Sequence, residues 1–220
     1  NVPEKATAVC AGPGLGRDFT DGSTEHSVAQ WILNNPQIPC LLDADMCYYP
    51  QIAEILKSRS DYTSKMIQKY LNSTQTVITP HPKEFASILR LCNLETQENC
   101  TVSHIENHCL ELVQKFSIQF PWITLILKGS TQIIGYSVIG QAPIMYINSL
   151  GKNCLAKGGS GDVLSGLITA LLAQQYTAIE AAISGSLALA VGSKKGLKNG
   201  IIKSDYSMSP FDLIEAIKGL

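Results

Sequence analysis

The chain has 220 residues, 45% of them hydrophobic and 16% charged, with a net charge of -1, which suits one large domain with a sizeable core. The balanced charge, without a basic block, argues against a nucleic-acid binder that works by neutralising phosphates, and no window is long and apolar enough to span a membrane. Seven scattered cysteines without a CxxC pair point to reduced thiols in a cytoplasmic protein.

Ala6 to Ala11 is a short apolar run ending in the glycine-rich stretch Gly12 to Gly16, the pattern of a buried strand and a loop. Glu25 to Asn34 carries Val28, Ala29, Ile32 and Leu33 on one face and reads as an amphipathic helix. A second strand is expected over Ile38 to Leu42, ending in Asp43-Ala44-Asp45, and a helix over Gln51 to Lys57 with Pro50 at its start. Gln75 to Thr79 reads as the third strand, followed by Pro80-His81-Pro82 and a helix over Lys83 to Leu91. The spacing of Val102, Ile105, Leu112 and Val113 predicts one helix over Thr101 to Phe116. Trp122 to Leu127 is the fourth strand. Gln132 to Ile139 and Ile144 to Ile147 form an antiparallel pair, the first weakened by Gly135. Helices are expected over Asp162 to Gln174, Ala178 to Gly192 and Pro210 to Lys218.

The early strands are continuous apolar runs separated by helices, the signature of an α/β fold whose mostly parallel sheet is covered on both faces. Ligands of such sheets bind beyond the carboxyl ends of the strands. Four polar strand tips (GPGLG, DAD, TPHP and LKGS) and the turn Gly158-Gly159-Ser160-Gly161-Asp162 therefore point to one shared site.

Each feature also admits a plainer reading. A glycine turn opening a helix makes an anion site of unpaired N–H groups, yet Ser160 or Asp162 could simply cap the helix. Asp43 and Asp45 could hold Mg²⁺ or a substrate hydroxyl, or only cap a turn. His81, fixed between prolines, suits either a ligand contact or a structural role. Lys128, next to Gly129, Ser130 and Thr131, is a phosphate-binding point charge or a solvated strand end. His104 and His108 have metal-ligand spacing on one helix, but without a third ligand they read as a solvated face.

Taken in order, GPGLG (12–16), LLDAD (41–45), TPHPKEF (79–85), LKGST (127–131) and GGSGDVLSG (158–166) resemble the carbohydrate-kinase-related NAD(P)H-hydrate dehydratases of the ribokinase-like superfamily. The resemblance implies a three-layer sandwich and the repair of hydrated NADH or NADPH at the expense of ADP (or ATP), with Mg²⁺. In that chemistry Asp162 takes the proton of the hydrate hydroxyl as it attacks the terminal phosphoryl group, and phosphate then leaves. Gly16, His81 and Asp162 would contact the hydrate; Lys128, Gly129, Ser130, Thr131, Gln132, Gly159, Ser160 and Gly161 would contact the nucleotide. Asp43, Asp45 and Asn148 are further candidate contacts. The resemblance also implies a homo-oligomer, a tetramer in the family, and an epimerase, fused or separate.

The sequence departs from the family pattern at Lys152, at Lys83 in TPHPKE and at Lys157 before the glycines. Added cations beside an anionic substrate are compatible with the chemistry. About eight residues precede the GPGLG region, where the family has further strands, so the chain is expected to be a single but N-terminally incomplete domain. Two other readings stay open: a ribokinase-like kinase for a hydroxyethylthiazole or hydroxymethylpyrimidine alcohol, and a nucleotide-binding fragment without turnover.

Overall fold

The structure, a computed structural model, describes residues 6–67 and 75–220. Its centre is a six-stranded sheet whose spatial order follows the chain. β1 (Val9–Ala11), β2 (Cys40–Leu42), β3 (Thr76–Ile78) and β4 (Ile123–Leu127) run parallel. β5 (Gln132–Tyr136) and β6 (Ile144–Asn148) add an antiparallel meander at one edge.

Side chains alternate across the pleat, so each central strand feeds two cores. Cys40, Leu42, Ile78, Leu125, Leu127 and Ile133 enter one core. It is completed by α1 (Thr24–Asn34), α2 (Ile52–Ile67), α3 (Pro82–Leu91), α4 (Val102–Asn107) and α5 (Cys109–Gln119). Leu41, Val77, Ile126 and Ile134 enter the other core, under α6 (Ser160–Ala173), α7 (Ala178–Lys198) and α8 (Pro210–Lys218). With both faces covered, the parallel strands are apolar at most positions, with Thr76 and Thr124 as buried exceptions, and so read as near-continuous runs.

Several elements differ from the sequence expectation; α7, expected to end at Gly192, runs on to Lys198. The helix expected over Thr101 to Phe116 is two, because His108 leaves helical geometry at φ -121°. The His104 and His108 rings stack 4.5 Å apart at that break. α2 runs on to Ile67 because its inner face continues with Arg59, Ser60 and Thr63, all buried, and these polar residues interrupt the apolar period.

Arg59 is the central piece of that face. Its Nε donates to Thr76 Oγ1 at 2.7 Å, and its guanidinium donates to the carbonyls of Ile32, Asn35 and Ile38. One cation thereby satisfies the open carbonyl end of α1 and ties it to the sheet.

Gly135, expected to weaken β5, is instead what allows α5 to lie on it. A Cβ there would meet Val113 Cγ1 at 2.4 Å and Ser117 Oγ at 2.7 Å.

Candidate functional site

The tips of the parallel strands continue in register one step beyond the sheet. Asp43 N–H donates to Ala11 O at 3.0 Å, Thr79 N–H to Leu42 O at 3.0 Å and Lys128 N–H to Pro80 O at 2.8 Å. This brings Lys128, at the end of β4, over Asp43, at the end of β2. Lys128 Nζ lies 2.7 Å from Asp43 Oδ1 and 3.7 Å from Glu84 Oε2. Asp43 is 1% exposed, and its other oxygen accepts from Ser165 Oγ at 2.7 Å. The pairs knit β2, β4, α3 and α6 together at one point.

The ion pairs set the protonation states. Burial acts to lower the Lys128 pKa, but Asp43 and Glu84 outweigh it and hold the ammonium above its ordinary value. Burial acts to raise Glu84, but its hydrogen bond to His81 and the charge of Lys128 hold the carboxyl below the usual range.

His81 is the N-cap of α3. Its Nδ1 accepts from the N–H groups of Lys83 and Glu84 at 3.1 and 3.2 Å, and Nε2 lies 3.0 Å from Glu84 Oε1. Glu84 in turn accepts from the His81 N–H at 2.7 Å, which completes a capping box. With Nδ1 accepting, the ring proton sits on Nε2 and points to Glu84.

The glycine turn opens α6 without the side-chain cap that five of the helices carry; α5 also lacks one. Ser23, His81, Thr101, Thr177 and Ser209 each cap a helix with a side chain, whereas α6 starts at Gly159 in the left-handed region, φ 89°, with no side-chain cap. Ser160 Oγ turns away and donates to the carbonyls of Leu155 and Lys157. Neither Ser160 nor Asp162 is therefore a cap; the Ser160 N–H donates to Lys157 O at 3.4 Å, and the N–H groups of Gly161 and Asp162 are left for a ligand.

A cavity of about 380 Å³ lies against this turn, lined by His81, Lys128, Gly129, Ser130, Ser160 and Gly161 at one end. That volume is in the range of small-molecule sites. Lys128 Nζ is 3.5 Å from where a Cβ on Gly161 would stand, within ordinary contact distance, so the ammonium lies directly against the turn. On the far wall, Ser186 Oγ donates to Gln132 Oε1 and accepts from Asn148 Nδ2 at 2.7 Å. This network fixes both side chains against the cavity.

The remaining residues expected at the site are outside the lining of this cavity. Thr131 lines an adjoining cavity of about 550 Å³ beside Ile105, Leu110 and Ile147. Gly159 is outside the lining and faces Pro210, whose Cγ would lie 2.4 Å from a Cβ there. The DAD motif splits: Ala44, at φ 48°, turns Asp45 away from Asp43, and Asp45 accepts from Gly16 N–H at 3.1 Å and Arg17 Nε at 2.6 Å. Gly12 makes that turn fit, because at φ 123° a Cβ would lie 1.7 Å from Asp43 O. Asp162 is exposed and outside the cavity lining, one residue past Gly161. It looks toward the β1 end of the sheet. The Cys10 thiol there is pushed up to about 11, first by desolvation, with Asp43 and Asp162 among the lesser causes.

Glu84, Ser165 and Ser186 are the site residues that the motifs did not single out. Glu84 stood within TPHPKE, and its place at the third position of a capped helix was the available signal.

The carbohydrate-kinase family model described as NAD(P)H-hydrate dehydratase matches residues 2–218. The chain is 37% identical over its whole length to the bifunctional NAD(P)H-hydrate repair enzyme Nnr of Helicobacter pylori, of which it spans 39%. It is 30% identical to the enzyme of the same name from Escherichia coli, over 84% of this chain and 29% of that protein. Among solved structures, the ADP/ATP-dependent NAD(P)H-hydrate dehydratase from Bacillus subtilis co-crystallized with ATP/Mg²⁺ superposes with a TM-score of 0.66 at 20% identity, covering 97% of this chain and 63% of that one. Bacillus subtilis YxkO gives the same TM-score and identity over 97% and 65%. These structures share the fold, the ribokinase-like three-layer sandwich. Matched by the family model over nearly its whole length, the chain belongs to the carbohydrate-kinase-type NAD(P)H-hydrate dehydratases.

Proposed function

We propose that this chain dehydrates the S form of hydrated NADH or NADPH, spending ADP and releasing AMP and phosphate. The observation that carries the reading is the start of α6. Two consecutive residues there face two sides: Gly161 lines the cavity with Lys128, and Asp162 stands outside it.

In this reading the nucleotide phosphates lie in the cavity against Lys128 and the uncapped N–H groups of α6. Phosphoryl transfer asks mainly for position and charge stabilisation, which these groups supply. The hydrate approaches from the side of Asp162 and the Gly12 to Gly16 loop. Asp162 takes the hydroxyl proton as the oxygen bonds to the terminal phosphorus and the bond to AMP breaks. The new phosphate ester leaves with the C–O bond pair, and loss of a proton from the adjacent carbon forms the ring double bond. The net change is removal of water, which appears as phosphate.

The Bacillus subtilis relative was crystallized with ATP/Mg²⁺, and a metal would neutralise phosphate charge here too. Among the described residues no three His, Cys, Asp or Glu side chains gather into a metal site. Asp43 and Glu84 are engaged by Lys128, Ser165 and His81. This suits a Mg²⁺ carried mainly by the phosphates, the usual habit of that ion.

We further propose a single domain that works in the cytoplasm as a homo-oligomer, beside an epimerase that interconverts the two hydrate forms; that a relative is named a bifunctional repair enzyme supports a second activity beside this one. Asp162→Asn tests the central claim. Phosphate release from hydrated NADPH should fall at least about a hundredfold, as for loss of a general base, with ADP affinity within about threefold of wild type. Turnover retained within about tenfold would remove Asp162 from the role of base.

A further inference from the structure

The fixed charges under the phosphate end of the cavity do not add up to a cation. Lys128 brings one positive charge, and two carboxylates hold it, Asp43 at 2.7 Å and Glu84 at 3.7 Å. His81 adds none, since Nδ1 accepts two backbone N–H groups and only Nε2 carries a proton. One ammonium against two carboxylates leaves the cluster at a net charge of -1. The N-terminus of α6 contributes only about half a positive charge. A nucleoside diphosphate, itself an anion of about three charges at neutral pH, keeps net negative charge even with one Mg²⁺ on its phosphates, so a further protein cation would favour its binding here.

Lys152 is that cation. It lines the same cavity as Lys128 and Gly161. Its backbone is pinned just before the tight 3-10 turn Asn153–Ala156, its carbonyl accepting from Leu155 N–H at 2.9 Å. Its ammonium has no hydrogen bond or ion pair among the described residues. No carboxylate shares the cavity wall among the described residues. Lys157, five residues on, is also exposed but is not part of that wall.

We propose that Lys152 engages the terminal phosphate of the bound nucleotide and sets the preference for diphosphate over monophosphate. The inference rests on the nucleotide-site reading above and adds a residue to it. Lys128 is neutralised whether or not ligand is present, so it orients. Lys152 is free, so its charge appears in affinity. Once the terminal phosphoryl group has left, Lys152 loses its partner, and the monophosphate product is held less tightly than the substrate.

Titration calorimetry of ADP and AMP against the 220-residue chain and three variants, at low and high salt, tests this. Lys152→Ala should weaken ADP about tenfold, as for one lost charge-assisted contact to a phosphate, and AMP by less than about threefold. The salt dependence of ADP binding should become shallower. Lys152→Arg should stay within about threefold of wild type, and Lys157→Ala should match wild type for both nucleotides. Equal ADP affinity for Lys152→Ala and wild type, an equal loss from Lys157→Ala, or an equal loss for AMP each overturns the assignment and leaves the nucleotide site standing. A wild-type chain that binds no ADP overturns the nucleotide-site reading itself, and the role of Lys152 with it.

Discussion

Asp43→Asn is the sharpest probe of how the strand tips are held. The wild-type carboxylate is 1% exposed, lies 2.7 Å from Lys128 Nζ and accepts from Ser165. At that separation and an effective dielectric constant of about 20, the gross attraction is about 6 kcal/mol. Most of it repays the desolvation of the two groups. Asparagine keeps the shape and can still accept from Ser165, but it turns an amide toward an ammonium that it cannot neutralise. Glu84, at 3.7 Å, stays as a second partner, and the Lys128 side chain, 19% exposed, can lean toward water. We therefore expect a loss of about 2–3 kcal/mol, below the usual 3–5 for breaking a fully buried pair. Thermal unfolding should fall by about 5–10 °C for a chain of this size.

The assay is urea unfolding of Asp43→Asn, Lys128→Met and the double variant, which should show a coupling of at least about 1.5 kcal/mol. The pH dependence gives a second reading. Lys128 has its pKa raised in the folded state, so its contribution is complete below the unfolded pKa and disappears as pH rises through the folded one. The wild type should thus lose stability at alkaline pH, and Asp43→Asn should lose less. Glu84, with its pKa lowered, contributes above its unfolded pKa and loses that contribution as pH falls through the folded one. A coupling below about 0.5 kcal/mol, with parallel alkaline limbs, would refute the claim that Asp43 and Lys128 act as a pair.

Two further substitutions test the packing that carries the site. Gly135→Ala should destabilise by about 1–3 kcal/mol in urea unfolding, the cost of overpacking α5 against β5; a neutral result would mean that α5 can shift freely. Arg59→Met should cost about 3 kcal/mol by leaving carbonyls of α1 and the β2 approach unsatisfied; a loss under about 1 kcal/mol would show that water replaces the guanidinium.

The layer order of the fold was legible because burial on both faces writes itself into the strands as apolar runs such as Cys40 to Leu42 and Leu125 to Leu127. The convergence of LKGS, TPHP and the glycine turn was legible as well, since parallel strands end on one side of a sheet. What stayed hidden depended on side-chain direction. Asp43 and Asp45 are two residues apart and serve different partners because Ala44 takes a left-handed conformation that no motif announces. The helix expected over Gln51 to Lys57 fell short of α2 because its buried face continues with Arg59, a cation that hydrogen-bonds uncharged oxygens and breaks the apolar period. His81 offered two readings, and its geometry unites them: it caps α3 and also lines the cavity. Ser186 sat unnoticed in an Ala/Gly/Ser-rich helix, where small residues signal close packing and say nothing of which hydroxyl meets a cavity.

Gly161 and Asp162 are neighbours in the chain, and this makes their spacing a matter of covalent bonds. Consecutive Cα atoms stand about 3.8 Å apart whatever the surroundings do. If one belongs to the phosphate donor and the other to the acceptor, thermal fluctuation of α6 carries both along together. Drift in the surrounding sequence can then change how often ligands enter, or how long they stay, while the reach from proton acceptor to phosphate cradle remains that of a single peptide unit.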